Sequence, residues 1–190
     1  MSGEEIRELV DSGVFGDGEN SKKPEVIETH ISWVILGEEH AYKIKKPLRF
    51  SFLDFRSLSD RKHFCRREVE LNRRFTDGVY LGVVSIREEN GRWRLGGEAG
   101  RIVDYAVKMR KLDPDKRMDI LLAAGGVSAA DIDNCAVKIV DFHVGESPIA
   151  DIDPLVIRED FDDLLSVKDI VRRHLGEEAA RWIEEAVESS

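Results

Sequence analysis

Hydrophobic and polar positions alternate most regularly between residues 25 and 46, with the period of two that marks half-buried strands. Glu25 to Ser32 predicts one strand running into a tight connection. Ser32-Trp33-Val34-Ile35-Leu36 predicts a second, and His40 to Lys46 a third across the turn Gly37-Glu38-Glu39. On the third, Ala41, Lys43 and Lys45 project from one face, and Tyr42 and Ile44 from the other. Pro47 ends it, because proline cannot donate to a ladder. Residues 48–56 are aromatic-rich and lack a clear period. Ser57 and Asp60 then form a capping box that opens a helix from about Leu58 to Phe75. Phe64, Glu68, Leu71 and Phe75 are spaced four, three and four apart, which places them on a single helical face.

On either side of this block the pattern is plainer. Residues 4–14 predict a short helix with Ile6, Leu9 and Val10 on one side, and Gly16 to Ser21 a loop. Val79 to Ile86 reads as a strand, and Glu89-Asn90-Gly91 carries the Asn-Gly hairpin signal into Trp93-Arg94-Leu95. After a turn at Gly96 to Gly100, Ile102 to Leu112 predicts a long strand. Beyond Pro114 the periodicity is helical throughout. Lys116–Ala124 is one segment. A second is capped by Ser128 and Asp131 and runs to His143, whose imidazole reads as packed or terminal rather than as a ligand. Phe161–Arg173 and Glu177–Val187 are two more, with Ala179, Trp182, Ile183 and Ala186 at core spacing. There are no repeats and no low-complexity tract.

Composition narrows the class. With 190 residues, 42% apolar and 35% charged, the chain is long enough for one core, or one domain with an appendage. No run approaches the roughly 20 apolar residues a membrane span needs. The N-terminus lacks the basic start and apolar centre of a signal peptide, so a cytoplasmic protein is expected. Cys65 and Cys135 sit in helical patterns away from any metal-ligand spacing, which suits two reduced structural thiols. The net charge of −9 is unevenly placed: residues 1–42 carry −7, residues 43–74 carry +7 and the remainder −9. A basic island in an acidic chain points to a local anionic ligand rather than to general nucleic-acid affinity.

Two residue choices carry chemistry. A small residue two positions before a lysine on a strand leaves room for a flat base, while the ammonium reaches phosphate oxygens; Ala41 and Lys43 fit this, although a strand lysine is usually just solvated. Glu68, in the middle of an apolar helical stripe, needs a cation, since buried carboxylates are rare unless paired. Lys43 on the adjacent sheet is one candidate. Lys62, Arg67 or Arg73 on the same helix would serve if Glu68 sat at the stripe's edge. If Glu68 points into the sheet, its charge is expected within salt-bridge distance of Lys43, with Lys45 the more exposed of the two lysines.

The runs Glu28-Thr29-His30-Ile31-Ser32-Trp33-Val34, Ala41-Tyr42-Lys43-Ile44-Lys45-Lys46-Pro47, Phe52-Leu53-Asp54-Phe55, Leu71-Asn72-Arg73-Arg74, Tyr80-Leu81-Gly82-Val83-Val84 and Tyr105-Ala106-Val107-Lys108-Met109-Arg110 resemble a known family. It is the aminoglycoside-phosphotransferase-like domain found at the N-terminus of bifunctional proteins that carry a P-loop ATP-binding half behind it. The resemblance spans roughly residues 25–145. It implies an α+β fold: a protein-kinase-like small lobe, with an antiparallel sheet of five to six strands and one long helix, then an all-helical partial large lobe. On this reading residues 1–112 are the small lobe with an N-terminal extension, and residues 113–190 the helical part. It further implies that Lys43 binds phosphate, with Glu68 as its helix partner and Glu70 as the alternative. The backbone around Met109–Leu112, Lys111 included, would be the hinge against adenine, with Ala41 beside it and ATP as the cofactor.

The chain departs from that family where catalysis is done. Such kinases need a catalytic loop of the H-G-D-x-x-x-x-N type and a second metal-binding aspartate. His143-Val144-Gly145-Glu146 has neither the Asp nor the downstream Asn. Asp131-Ile132-Asp133 lies in a predicted helix, and Asp151-Ile152-Asp153 lacks a preceding histidine. There is no GxxxxGK[ST], and the first turn, Thr29-His30-Ile31-Ser32, contains no glycine. Magnesium is therefore not expected without further ligands, and no phosphotransferase or ATPase activity is expected from this polypeptide alone. Three functions remain: a nucleotide-binding fragment completed by a second polypeptide, a non-catalytic binding or regulatory module, or a nucleic-acid binder. The last would use the basic helix 58–74 with Phe50, Phe52 and Phe55 for stacking; the scatter of Arg61, Arg67 and Arg74 around the helix counts against it. Uncovered helices after residue 115 would favour self-association or a partner, which is either a catalytic large lobe, a P-loop domain or a second copy.

Overall fold

The strand signals between residues 25 and 46 form what their alternation predicts. In the computed structural model, β3 (Glu25–Glu28), β4 (Ser32–Leu36) and β5 (His40–Lys45) pair antiparallel, with Val34 opposite Lys43 and Leu36 opposite Ala41. The structure describes residues 1–11, 14–15, 18–19, 23–50, 53–145 and 168–188. The described residues fall into two compact units, divided between Phe142 and His143. The fold is mixed α+β with a largely antiparallel sheet, the coarse class expected.

In the first unit, α1 (Gly3–Asp11) is followed by the short strands β1 (Val14–Phe15) and β2 (Gly18–Glu19), which lie partly where a loop was expected. The rest of that expected loop, residues 16, 17, 20 and 21, lies outside the described residues. After β5 comes a second unforeseen pair, the hairpin of β6 (Arg49–Phe50) and β7 (Leu53–Asp54), within the segment that showed no period. Then follow α2 (Leu58–Arg73), β8 (Tyr80–Glu89), β9 (Arg92–Leu95) and β10 (Arg101–Arg110). The sheet order is β2-β1-β9-β8-β10-β5-β4-β3, antiparallel from β9 to β3, with β1 parallel to β9. The β8–β9 turn is the predicted Asn-Gly hairpin: Asn90 and Gly91 both have positive φ, at 54° and 75°, the combination a twisted two-residue hairpin requires. Gly100 is obligatory for a different reason. Its φ is +84°, and a Cβ there would sit 2.7 Å from the Glu88 carbonyl oxygen.

The two faces of the sheet are covered by different helices. On one, Ile6, Leu9 and Val10 of α1 pack with Ile35, Tyr42, Ile44, Ile86, Leu95 and Ala106. Each large aliphatic side chain fully removed from water there contributes roughly 1.5–3 kcal/mol. On the other, Cys65 and Val69 of α2 pack against Val107, with Tyr80, Val83, Tyr105 and Met109 around them. The alternation of β5 is thus realised: Tyr42 and Ile44 face α1, while Ala41, Lys43 and Lys45 share the α2 side.

Helix α2 starts at its predicted cap, the Asp60 amide donating to Ser57 Oγ at 3.0 Å, but the face it buries is not the predicted one. Arg61, Cys65 and Val69 are buried, whereas Phe64, Leu71 and Phe75 stand at an exposed rim. The reason is polar. The sheet opposite carries Asp104 and two lysines, so the helix turns charged residues toward it. The large apolar side chains are left for lateral contacts: Phe64 with Phe55, and Phe75 edge-on to Phe142 at 5.4 Å between centroids.

Past β10, a 3-10 turn (Pro114–Lys116) leads to α3 (Met118–Ala123) and then α4 (Ala129–Gly145), capped by Ser128 and Asp131 as expected. Neither helix buries a residue. His143 is exposed on the last turn of α4. The second unit contains α5 (Lys168–Leu175) and α6 (Glu177–Glu188), joined at Gly176 with φ +93°. Arg172 ties them by pairing with both Asp169 and Glu177. Ala180 is buried here, but Trp182, placed at core spacing by the sequence, is 70% exposed. The expected helix from Phe161 begins in residues outside those described, as do Asp151 to Asp153. No helix among the described residues is long and apolar enough to cross a membrane.

Candidate functional site

Strand β5 and helix α2 build the site between them. Register places Ala41 opposite Met109 and Lys43 opposite Val107 on β10, and α2 crosses β8 and β10. Glu68 therefore comes down onto the lysine side of β5. Lys43 Nζ donates to Glu68 Oε1 at 2.9 Å, and Lys45 Nζ donates to Oε2 at 2.6 Å. The predicted pair is formed, and Glu68 is its helix member. Glu70 is turned outward and pairs with Arg67. Two further cations of α2 are engaged elsewhere: Lys62 lies over the Tyr105 ring and Arg73 donates to the Tyr80 and Leu81 carbonyls.

The two lysines stand in the reverse of the expected order of exposure. The Lys43 side chain is 31% exposed and that of Lys45 only 6%, with Glu68 at 13%. Lys45 is enclosed because the chain after β5 folds back and sets the Phe55 ring 4.9 Å from its ammonium, a cation–π contact whose worth grows as water is excluded. Burial pushes the Glu68 carboxyl upward, but hydrogen bonds from Lys43 and then Lys45, with their charges, outweigh it and hold the group below the usual carboxylate range.

One pleat from Lys43, toward the start of β5, a cavity of about 580 Å³ opens. Its walls include Ile27, Leu36 and Ala41 from the three-strand block, and Tyr80 and Met109 behind them. Lys111 and Leu112 border it along the chain leaving β10. Three of the expected nucleotide-contacting residues, Ala41, Met109 and Lys111, are therefore brought to one cavity, beside Lys43 and Glu68. The backbone detail is finer than the sequence allowed. Lys111 donates its amide to the Glu39 carbonyl and its ammonium to the Gly37 carbonyl. The Leu112 amide makes no hydrogen bond among the described residues, and it borders the cavity.

Several participants carried no signal in the sequence. Tyr80 lines the cavity and senses the ion pair: burial, then the Glu68 charge, pushes its phenol upward against the opposing effect of Lys43. The Ser32 hydroxyl, on the residue opposite Lys45, is fully buried with no hydrogen-bond partner among the described residues. Thr29 closes the first turn, accepting from the Ser32 amide at 3.0 Å and donating to its carbonyl at 2.9 Å. Beneath α2, Arg61 Nε donates to Asp104 Oδ1 at 2.8 Å, while the Met1 ammonium donates to Oδ2 at 3.0 Å.

The stretch shared with known proteins is limited. Two uncharacterized proteins, one from Mycobacterium tuberculosis (strain H37Rv) and one from Mycobacterium bovis, are each 33% identical to this chain over 119 residues, or 63% of it. Those residues make up 22% of each relative, so the chain spans under a quarter of their length. No family model matches the chain. No solved structure matches it either.

Proposed function

We propose that the first unit is a kinase-like, aminoglycoside-phosphotransferase-like nucleotide-binding module that takes ATP and does not transfer phosphate by itself. The observation that carries this reading is the joint placement of the Lys43–Glu68 pair, 2.9 Å apart, and a cavity walled by Ala41 and Met109 on the same sheet face. An apolar slot of this size suits a purine, and ligand sites are typically apolar clefts with a few convergent polar groups. On this reading the Leu112 amide, which makes no hydrogen bond among the described residues, donates to the base edge. Lys43, partly exposed and paired with a carboxylate, is on the same reading the cation that meets a phosphate. Among the described residues no group of three His, Cys, Asp or Glu side chains is placed to hold a metal ion. The proposal is therefore confined to nucleotide binding.

Completion by, or regulation of, a second polypeptide is part of the proposal. Leu122, Val137 and Val140 are all exposed on α3 and α4, which is the kind of surface that partners cover. The nucleic-acid alternative is weaker on this geometry. Arg61 is buried against Asp104, Arg67 is paired with Glu70, Arg73 is bound to backbone, and Phe55 is buried. Phe52 lies outside the described residues.

Titration of the full chain with a fluorescent ATP analogue, displaced by unlabelled ATP, tests the reading. Saturable binding is expected, weakened about tenfold or more in Lys43→Met and in Ala41→Phe, each tenfold being 1.4 kcal/mol. Binding that both substitutions leave unchanged, or no binding by the folded wild-type chain, would overturn it.

A further inference from the structure

Glu68 has one negative charge and two ammonium partners, so the cluster carries an uncompensated positive charge. The two cations are not equivalent. Lys45 is held at 2.6 Å, is 6% exposed and rests against the Phe55 ring; leaving Glu68 would strand a buried charge. Lys43 is held at 2.9 Å and is 31% exposed, so it can exchange its carboxylate for another anion while staying hydrated. From this asymmetry we infer that Lys45 is the standing partner of Glu68 and Lys43 the releasable cation, free to turn its ammonium to a nucleotide phosphate without uncovering the glutamate. The inference rests on the nucleotide reading above for the identity of the anion, but not for the ranking of the lysines.

In a single-lysine arrangement one ammonium would have to divide its three N–H donors and its charge between the buried glutamate and the phosphate. The second lysine removes that conflict, since Glu68 remains neutralised whether or not Lys43 is attached to it. Lys45 is therefore a positioning residue that acts on the phosphate through Glu68 and Lys43. The Ser32 hydroxyl opposite Lys45 has no hydrogen-bond partner among the described residues.

Charge counting gives the test. In Lys45→Met, Glu68 keeps Lys43 to itself and the cluster becomes neutral. Affinity for the fluorescent ATP analogue should then fall about tenfold, the scale of one unit charge removed a few Å away in a partly solvated site. Adding Glu68→Gln to Lys45→Met restores the single positive charge on an unheld Lys43, and affinity should return to within about threefold of wild type. A merely structural Lys45 predicts the opposite, a double variant as weak as the single one or weaker. Lys45→Arg, which keeps the charge, should bind like wild type and guards against a folding defect in Lys45→Met. Lysine acylation by acetic anhydride, followed by mass spectrometry on the wild-type chain without nucleotide, ranks the two amines independently. Lys43 should be modified and Lys45 protected, with the protection lost in Glu68→Gln. If the wild-type chain binds no nucleotide, the proposed function falls while this labelling order still decides the pairing. Equal labelling of both lysines overturns the inference whatever the nucleotide does.

Discussion

Replacing Arg61 with methionine isolates the interaction that seats α2, and with it Glu68, on the sheet. Its guanidinium makes three hydrogen bonds: to Asp104 Oδ1 at 2.8 Å, to the Phe55 carbonyl at 3.0 Å and to the Arg56 carbonyl at 2.8 Å. The Arg61 and Asp104 side chains are 8% and 0% exposed. Methionine keeps most of the volume, so the loss is electrostatic: among the described residues Asp104 retains the Met1 ammonium and the Tyr105 amide. Breaking a buried pair by removing one member costs about 3–5 kcal/mol. A domain's whole stability is about 5–15 kcal/mol, so about a fifth or more of it is at stake. Urea unfolding followed by tryptophan fluorescence measures this in a Trp182→Phe background, where Trp33 and Trp93 report on the first unit alone. At a slope of about 2 kcal/mol per molar urea, the midpoint should fall by about 1.5–2.5 M. Arg56→Met, which breaks an exposed pair with Asp54, should leave it nearly unchanged. Equal shifts in the two variants would refute the assignment of Arg61 as the helix anchor.

The lowered Glu68 carboxyl has a consequence in acid. Its stabilisation is complete above the ordinary glutamate value of about 4.3 and is lost as pH falls through its lower folded value. Melting temperature should therefore drop on that acid limb, and Glu68→Gln should flatten the drop; an unchanged limb would count against the buried pairing. The two thiols should separate sharply. Burial pushes Cys65 up to about 12, so in the native chain Ellman's reagent should titrate the exposed Cys135 quickly and Cys65 only on unfolding. Because the unfolded thiol ionises near 8.5, stability should also decline as pH rises above that value, and less so in Cys65→Ala.

Strand positions were legible because period two is a property of each strand alone. The three-strand block, the Asn90-Gly91 hairpin and the long strand ending at Arg110 all announce themselves by local pattern and turn chemistry. So do the caps at Ser57 and Ser128, whose hydrogen bonds are made within three residues. What local pattern did not reach was the choice of face on α2. Spacing nominates Phe64, Leu71 and Phe75 for the sheet, yet the helix buries Arg61, Cys65 and Val69. The deciding residue is Asp104, 43 positions from Arg61 in the chain, and nothing near Arg61 signals that a buried carboxylate awaits it. The β6–β7 hairpin was missed for a related reason, since two-residue strands carry no measurable period.

The same limit explains the reversed lysines. Alternation puts Lys43 and Lys45 on one side of β5, and the sequence reading takes Lys43 as the partner of Glu68 and Lys45 as the more exposed of the two. Burial, however, is set by what returns to cover the strand. After Pro47 the chain folds back through the β6–β7 hairpin, and Phe55 closes over Lys45, while Lys43 is left on the open side toward the Ala41 cavity. A carboxylate between a covered cation and an uncovered one can lose only the second to an incoming anion. The aromatic segment that seemed uninformative is what makes the two lysines different, because it decides which ammonium is free to leave.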